Sequence, residues 1–162
     1  MLLERLKIAN DHQGTTVNSR SHGGVWHRKV HVFHASTAGD IESVFAALDA
    51  LQAGGLLIGA DAFLFSRRDQ LVALAARYAV PTVYPWREAV LGGGLLSYGA
   101  SVTDAYRLAG LYTGRILKGD KPAYLPVQQS TRPEFAINLK TAKALGLDVA
   151  LTLVARADEV IE

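Results

Sequence analysis

The chain contains no cysteine. Disulfides, thiolate zinc sites and thiol nucleophiles are thereby excluded, while the compartment stays open, because exported proteins also do without cysteine. Charge of one sign is scarce too: 17 Lys and Arg against 15 Asp and Glu leave a formal net charge of +2. Such a balance, with no Lys/Arg cluster, offers no face that tracks a phosphate backbone, so nucleic acid is not an expected partner. No apolar run approaches the roughly 18 residues that a membrane-crossing helix needs. The start, MLLERLKIANDHQGTT, breaks its apolar character with Glu4, Arg5 and Lys7 and does not read as a secretion signal.

What is present is globular. With 49% hydrophobic and 20% charged residues over 162 positions, the chain can build one domain with a sizeable core. Residues 1–28 are the least patterned. Leu2, Leu3, Leu6 and Ile8 allow a helical turn or two, and Asp11 to Gly24 is expected as loop or disorder. His12, His22 and His27 lie there, with His31 and His34 just beyond. No pair sits on a helix with a carboxylate partner, and strand alternation puts His31 and His34 on opposite faces. They are expected as ordinary solvated histidines, not as a metal site.

Order begins at Lys29. KVHVFHAST reads as a strand ending near His34, and Ser36 and Thr37 then offer helix caps. Ile41, Val44, Phe45, Leu48 and Leu51 recur at three- and four-residue spacing, the stripe of an amphipathic helix that Gly54-Gly55 stops. Leu56–Ile58 is the next buried strand. Ser66 is expected to cap a helix that turns Leu71, Leu74, Ala75 and Tyr78 inward. Pro81–Tyr84 and Leu95–Tyr98 are short continuous apolar runs, the signature of parallel strands covered on both faces. Gly92–Gly94 precedes its strand, so it makes a tight turn and is not a phosphate-binding loop.

Ser101, with Asp104 three positions on, opens a helix carrying Ala105, Leu108, Ala109, Tyr112 and Ile116 on one face. Tyr106 and Tyr112 lie on a flank of that helix and are expected in the core. Gly110 and Gly114 are spaced as for close packing against a neighbour. The helix ends near Lys118-Gly119. A proline-rich connector follows, then one more strand at Phe135–Asn138 and a short helix, Thr141–Leu145, closed by Gly146. The pattern of residues 147–162 sets no fold.

Strands alternating with helical crossovers imply an α/β, three-layer αβα domain with a parallel sheet of about four or five strands. Right-handed crossovers bring the loops His34–Thr37, Gly59–Ser66, Tyr84–Glu88 and Tyr98–Ser101 to one edge, where open sheets bind ligands. Catalytic signatures are lacking in the sequence: no nucleophile elbow, P-loop or metal spacing occurs, and only His34 falls near those loops. A non-enzymatic binding role without cofactor is expected, with no catalytic residues.

From Lys29 onward the residues resemble a known family. GADAFLFSRRDQL, GGGLLSYG, DAYRLAG with YTGRILKGDKP, LPVQQ and INLKTAKALGL are similar, in order and spacing, to the carboxyl-terminal half of ABC-importer substrate-binding proteins. The branch is the one whose members bind aromatic amino acids, and its fold is a periplasmic-binding-protein-like type I lobe. Family members run to roughly twice this length, with a secretion signal and an amino-terminal lobe ahead of this one. The resemblance therefore implies one lobe of a clamshell at residues 29–162 behind an unmatched leader at 1–28, the mark of a truncated product or a misplaced start codon.

By position, the resemblance places Asp61, Phe63, Trp86, Arg87, Glu88, Tyr98 and Ser101 along this lobe's ligand-binding side. Asp61 or Glu88 would accept from a ligand ammonium, Arg87 would pair a carboxylate, and Trp86 or Phe63 would stack on an apolar side chain. Ser101 starts a helix whose N–H groups favour anions. Structural roles stand beside these: Asp61 as a turn cap, Trp86 as a packing residue, Arg87 and Glu88 as a solvated pair. The implied partners are an amino-acid-like ligand and an ABC permease, with self-association through the surface that a second lobe would cover. The implied location is periplasmic, or cytoplasmic if the chain is expressed as it stands. A cytoplasmic metabolite-sensing or regulatory module is the alternative, because one fold serves both roles.

Overall fold

The computed structural model describes residues 7–8, 16–19, 28–128 and 133–162. Each buried apolar run in it is a strand, and each three-and-four repeat is a helix. The order is β1 (Lys7–Ile8), β2 (Thr16–Ser19), β3 (Arg28–Phe33), α1 (Ala38–Ala50), β4 (Leu56–Ile58), α2 (Ala62–Ser66) and α3 (Arg68–Arg77). Then come β5 (Thr82–Tyr84), α4 (Arg87–Leu91), β6 (Leu96–Ala100), α5 (Val102–Leu117), β7 (Pro133–Asn138), α6 (Leu139–Ala144), α7 (Leu151–Val154) and β8 (Glu159–Ile161). A 3-10 turn, Pro122–Tyr124, lies in the connector before β7.

The strands form one eight-stranded sheet in the order β2-β3-β1-β4-β5-β6-β7-β8. From β3 through β6 every neighbour is parallel. The sheet is thus the mostly parallel α/β sheet that the alternation implied. Two antiparallel pairings are added to it, β2 with β3 and β6 with β7. The second reverses the chain direction after the long connector, and β8 then pairs parallel to β7. The core is built from α1 (Ile41, Val44, Phe45, Leu48), α3 (Leu71, Leu74, Ala75) and the strands β4 and β5, with Trp86 and Ala89 closing its upper end.

Several local expectations are corrected. Thr16–Ser19, expected as loop, pairs as a strand with Arg28–His31. Ile8, expected in a helical turn, lies in β1, whereas Leu2, Leu3, Leu6 and the leader histidines His12, His22 and His27 fall outside the described residues. Helix α1 stops at Leu51, before the glycine pair, because Gln52 itself takes a left-handed conformation with φ 48°. Ser66 does not cap a helix: its Oγ donates to the Phe63 carbonyl at 2.7 Å, the habit of a serine inside a helix. The helix it was expected to open, α3, begins after Arg67 with no side-chain cap, and Asp61 caps the preceding α2, its Oδ1 accepting from the Leu64 N–H at 3.0 Å.

The largest difference is α5. None of its residues is buried, and Tyr106, expected in the core, is 74% exposed. Leu111, Ile116 and Leu117 are exposed as well, and a Cβ added at Gly110 or Gly114 would meet nothing within 4 Å. Periodicity specifies an amphipathic helix but not the layer that receives its apolar face.

Candidate functional site

The carboxyl ends of β5 and β6 approach each other closely because Gly99 has no side chain. A Cβ there would stand 2.2 Å from the Pro85 carbonyl oxygen, a contact no other residue tolerates without moving backbone. This approach sets the start of α4, with Arg87 and Glu88, beside the start of α5. Ser101 caps α5 by accepting from the Asp104 N–H at 3.2 Å, leaving its hydroxyl proton to donate. The antiparallel register of β7 puts Glu134 opposite Gly99 on the same edge.

Together these elements enclose a polar cavity of about 310 Å3 lined by Arg87, Glu88, Ser101, Thr103, Asp104, Arg107 and Glu134. Glu88 Oε2 is buried with no hydrogen-bond partner among the described residues. An acceptor left bare in this way is costly unless a donor arrives from outside. Arg87 is already engaged: its guanidinium forks onto Glu159 of β8, Nη2 to Oε1 at 2.9 Å and Nε to Oε2. That hydrogen-bonded pairing, aided by Glu134 and Glu88 and opposed by desolvation, holds the arginine pKa above its usual value. Arg107 binds Asp104 Oδ1 through Nε at 2.9 Å and Nη2 at 2.8 Å, and its side chain is 59% exposed.

Of the positions expected to line the ligand side, Arg87, Glu88 and Ser101 share this cavity, and Asp61, Phe63, Trp86 and Tyr98 do not line it. Asp61 caps α2 at the end of β4. Phe63 is half-buried against the core, with the Arg67 guanidinium 6.0 Å from its ring. Trp86 is 6% exposed and meets Phe65 edge-on at 5.2 Å between ring centroids. Tyr98 is 61% exposed and leans on Phe135 at 6.5 Å. Sequence reasoning missed Thr103, Asp104 and Arg107 as cavity residues, although their spacing puts them on one face of the helix that Ser101 opens. Glu134 carried no local signal, since only the β6–β7 register brings it there.

A mostly parallel sheet with helices around it and a polar cavity at the carboxyl edge defines the class as an α/β ligand-binding fold. Residues 27–161 match the family model described as ABC transporter substrate binding protein, and the chain belongs to that family. Members of such a family bind substrate and do not transform it. Among solved structures, a conserved domain protein from Vibrio cholerae matches with a TM-score of 0.73 at 22% identity, over 83% of this chain and 45% of its own. An ABC domain in complex with L-Trp from Streptococcus pneumoniae matches with a TM-score of 0.74 at 24% identity, over 83% and 46%. An open, ligand-free substrate-binding protein with adhesive properties from Clostridium difficile matches with a TM-score of 0.58 at 16% identity, over 98% and 54%. The chain thus spans about half the length of these structures. No curated protein sequence matches it.

Proposed function

We propose that residues 29–162 act as the carboxyl-terminal lobe of an importer substrate-binding protein, presenting one wall of a cleft to an amino-acid-like ligand. The observation that carries the reading is the bare, buried Glu88 oxygen in a polar cavity at the carboxyl edge of the sheet. A carboxylate so placed suits a ligand ammonium. The Ser101 hydroxyl and the N-terminal N–H groups of the 16-residue α5 suit the ligand carboxylate. Arg87, held by Glu159, contributes positive potential more than a free fork. Trp86 and Phe63 support the edge from below, Asp61 fixes the neighbouring loop, and Tyr98, on the opposite face of β6 from Gly99 and Glu134, stands outside the cavity. The L-Trp in the pneumococcal structure supports an amino acid as the ligand class.

The other wall comes from a second lobe, a reading supported by the length of the matched structures and by the uncovered apolar residues of α5. Family membership supports delivery to an ABC permease outside the cytoplasmic membrane. Among the described residues, no helix is long and apolar enough to cross a membrane. The test is an NMR titration of the 15N-labelled chain with L-tryptophan, other L-amino acids and indole-3-propionate, which lacks the ammonium. Amides of Glu88, Ser101 and Arg107 shift with the amino acids, and the shifts weaken with the amine-free acid. Equal response to both, or shifts confined to other parts of the fold, would overturn the assignment.

A further inference from the structure

Both arginines of the polar cavity are already engaged. Arg107 is forked onto Asp104 within α5. Arg87 gives Nε and Nη2 to the two carboxylate oxygens of Glu159, the bidentate geometry in which an arginine takes a ligand carboxylate. Glu159 does not itself line the cavity. It comes from β8, the edge strand of the sheet, and stands opposite Ala136 of β7. Glu134, two residues before Ala136, projects from the same face. The start of β8 is pinned beside it. The Asp158 N–H donates to the Phe135 carbonyl at 2.8 Å, and Asp158 Oδ2 accepts from the Phe135 N–H at 2.9 Å.

Charge around the cavity is therefore unequal. Glu88 and Glu134 line it and also act on Arg87, so three carboxylates share one guanidinium. Neither Glu88 nor Glu134 forms an ion pair of its own among the described residues. A metal ion does not suit that surplus, since no three His, Asp or Glu side chains among the described residues gather closely enough to hold one. An incoming carboxylate meets a guanidinium whose fork is filled by a group the fold holds in place. The free ligand bears an entropy cost of immobilisation that Glu159 does not.

We propose that Glu159 is a specificity-determining residue: by filling the Arg87 fork it closes the cavity to ligand carboxylates and leaves it selective for the cationic end of a ligand. On the reading of the cavity as the ligand site, on which this specificity rests, the ligand is recognised by its ammonium in the field of Glu88 and Glu134. Only neutral donors, the Ser101 hydroxyl and the first N–H groups of α5, remain for a carboxylate.

Tryptamine, L-tryptophan and indole-3-propionate carry the ammonium, both groups and the carboxylate on one ring system. Their NMR titrations into the 15N-labelled chain at neutral pH, read at the amides of Glu88, Ser101 and Arg107, test the assignment. In wild type, tryptamine should bind within about fivefold of L-tryptophan, as neutral donors to the carboxylate imply, and more tightly than indole-3-propionate. Glu159→Gln removes the charge and keeps the shape. It should tighten indole-3-propionate about tenfold, the worth of a charge-assisted hydrogen bond, and leave tryptamine no tighter. Glu159→Asp, which keeps the charge, should retain the wild-type order. A merely structural role for Glu159 would weaken all three compounds together. The proposal is overturned if indole-3-propionate matches tryptamine in wild type, or if L-tryptophan exceeds tryptamine by well over about fivefold. It is also overturned if Glu159→Gln leaves the acid-to-amine ratio unchanged; L-tryptophan binding at the same amides would then leave the ligand site standing. If none of the three shifts those amides, both readings fall. Should Glu159→Gln fail to fold, the wild-type order decides alone.

Discussion

In the proposed site the polar chemistry centres on one buried oxygen, Glu88 Oε2. Replacing Glu88 with Gln removes the charge but keeps the shape, so affinity for amino acids should fall about tenfold, the worth of one charge-assisted hydrogen bond. Stability should fall only slightly, because Oε2 has no hydrogen-bond partner to lose and only the charge interaction with the part-exposed Arg87 goes. NMR titration and urea unfolding of Glu88→Gln separate the two effects. Gly99 is the opposite case. Gly99→Ala forces a Cβ onto the Pro85 carbonyl and should cost roughly 1–3 kcal/mol, read as a lower urea midpoint. Which residues share the cavity was only partly legible in the sequence. Arg87, Glu88 and Ser101 follow from the rule that strand ends carry sites, whereas consecutive loop residues diverge, and Trp86 turns into the core beside Phe65. Nothing in a single stretch announces Glu134.

Helix ends were more legible than helix faces. Thr37 and Asp40 form a reciprocal cap on α1: Thr37 Oγ1 accepts from the Asp40 N–H, and Asp40 Oδ2 accepts from the Ser36 and Thr37 N–H groups. The Ser36 backbone bond above all holds the Asp40 pKa below its usual 3.8. A depressed carboxylate stabilises above its unfolded pKa and loses that contribution as pH falls through the folded value. The stability advantage of wild type over Asp40→Ala should therefore be constant at neutral pH and shrink as the pH drops below 3.8, in paired denaturation curves. Ala79 offers a gain instead. It follows α3 with φ 50°, where a Cβ is strained, so Ala79→Gly should raise stability by about 1 kcal/mol in thermal unfolding. The face of α5 was illegible for a different reason: its spacing fixes which residues share a side, and only its neighbours decide whether that side is covered.

Over the whole molecule, alternation of apolar runs and helical stripes was sufficient for the α/β class, since few arrangements bury both faces of such strands. The reversal at β7 was not readable, because a long proline-rich connector permits a return in either direction. A ligand held by one wall keeps much of its surface in water, yet still loses its freedom of motion. Isothermal titration of the chain with L-amino acids, with light scattering on the same samples, tests this account most directly. It predicts affinity no tighter than about millimolar, near 4 kcal/mol, together with concentration-dependent association through exposed apolar residues such as Tyr106, Leu111 and Leu117. A monodisperse monomer binding an amino acid at micromolar concentration would contradict it, because these residues would then form a complete binder and not one wall of a cleft.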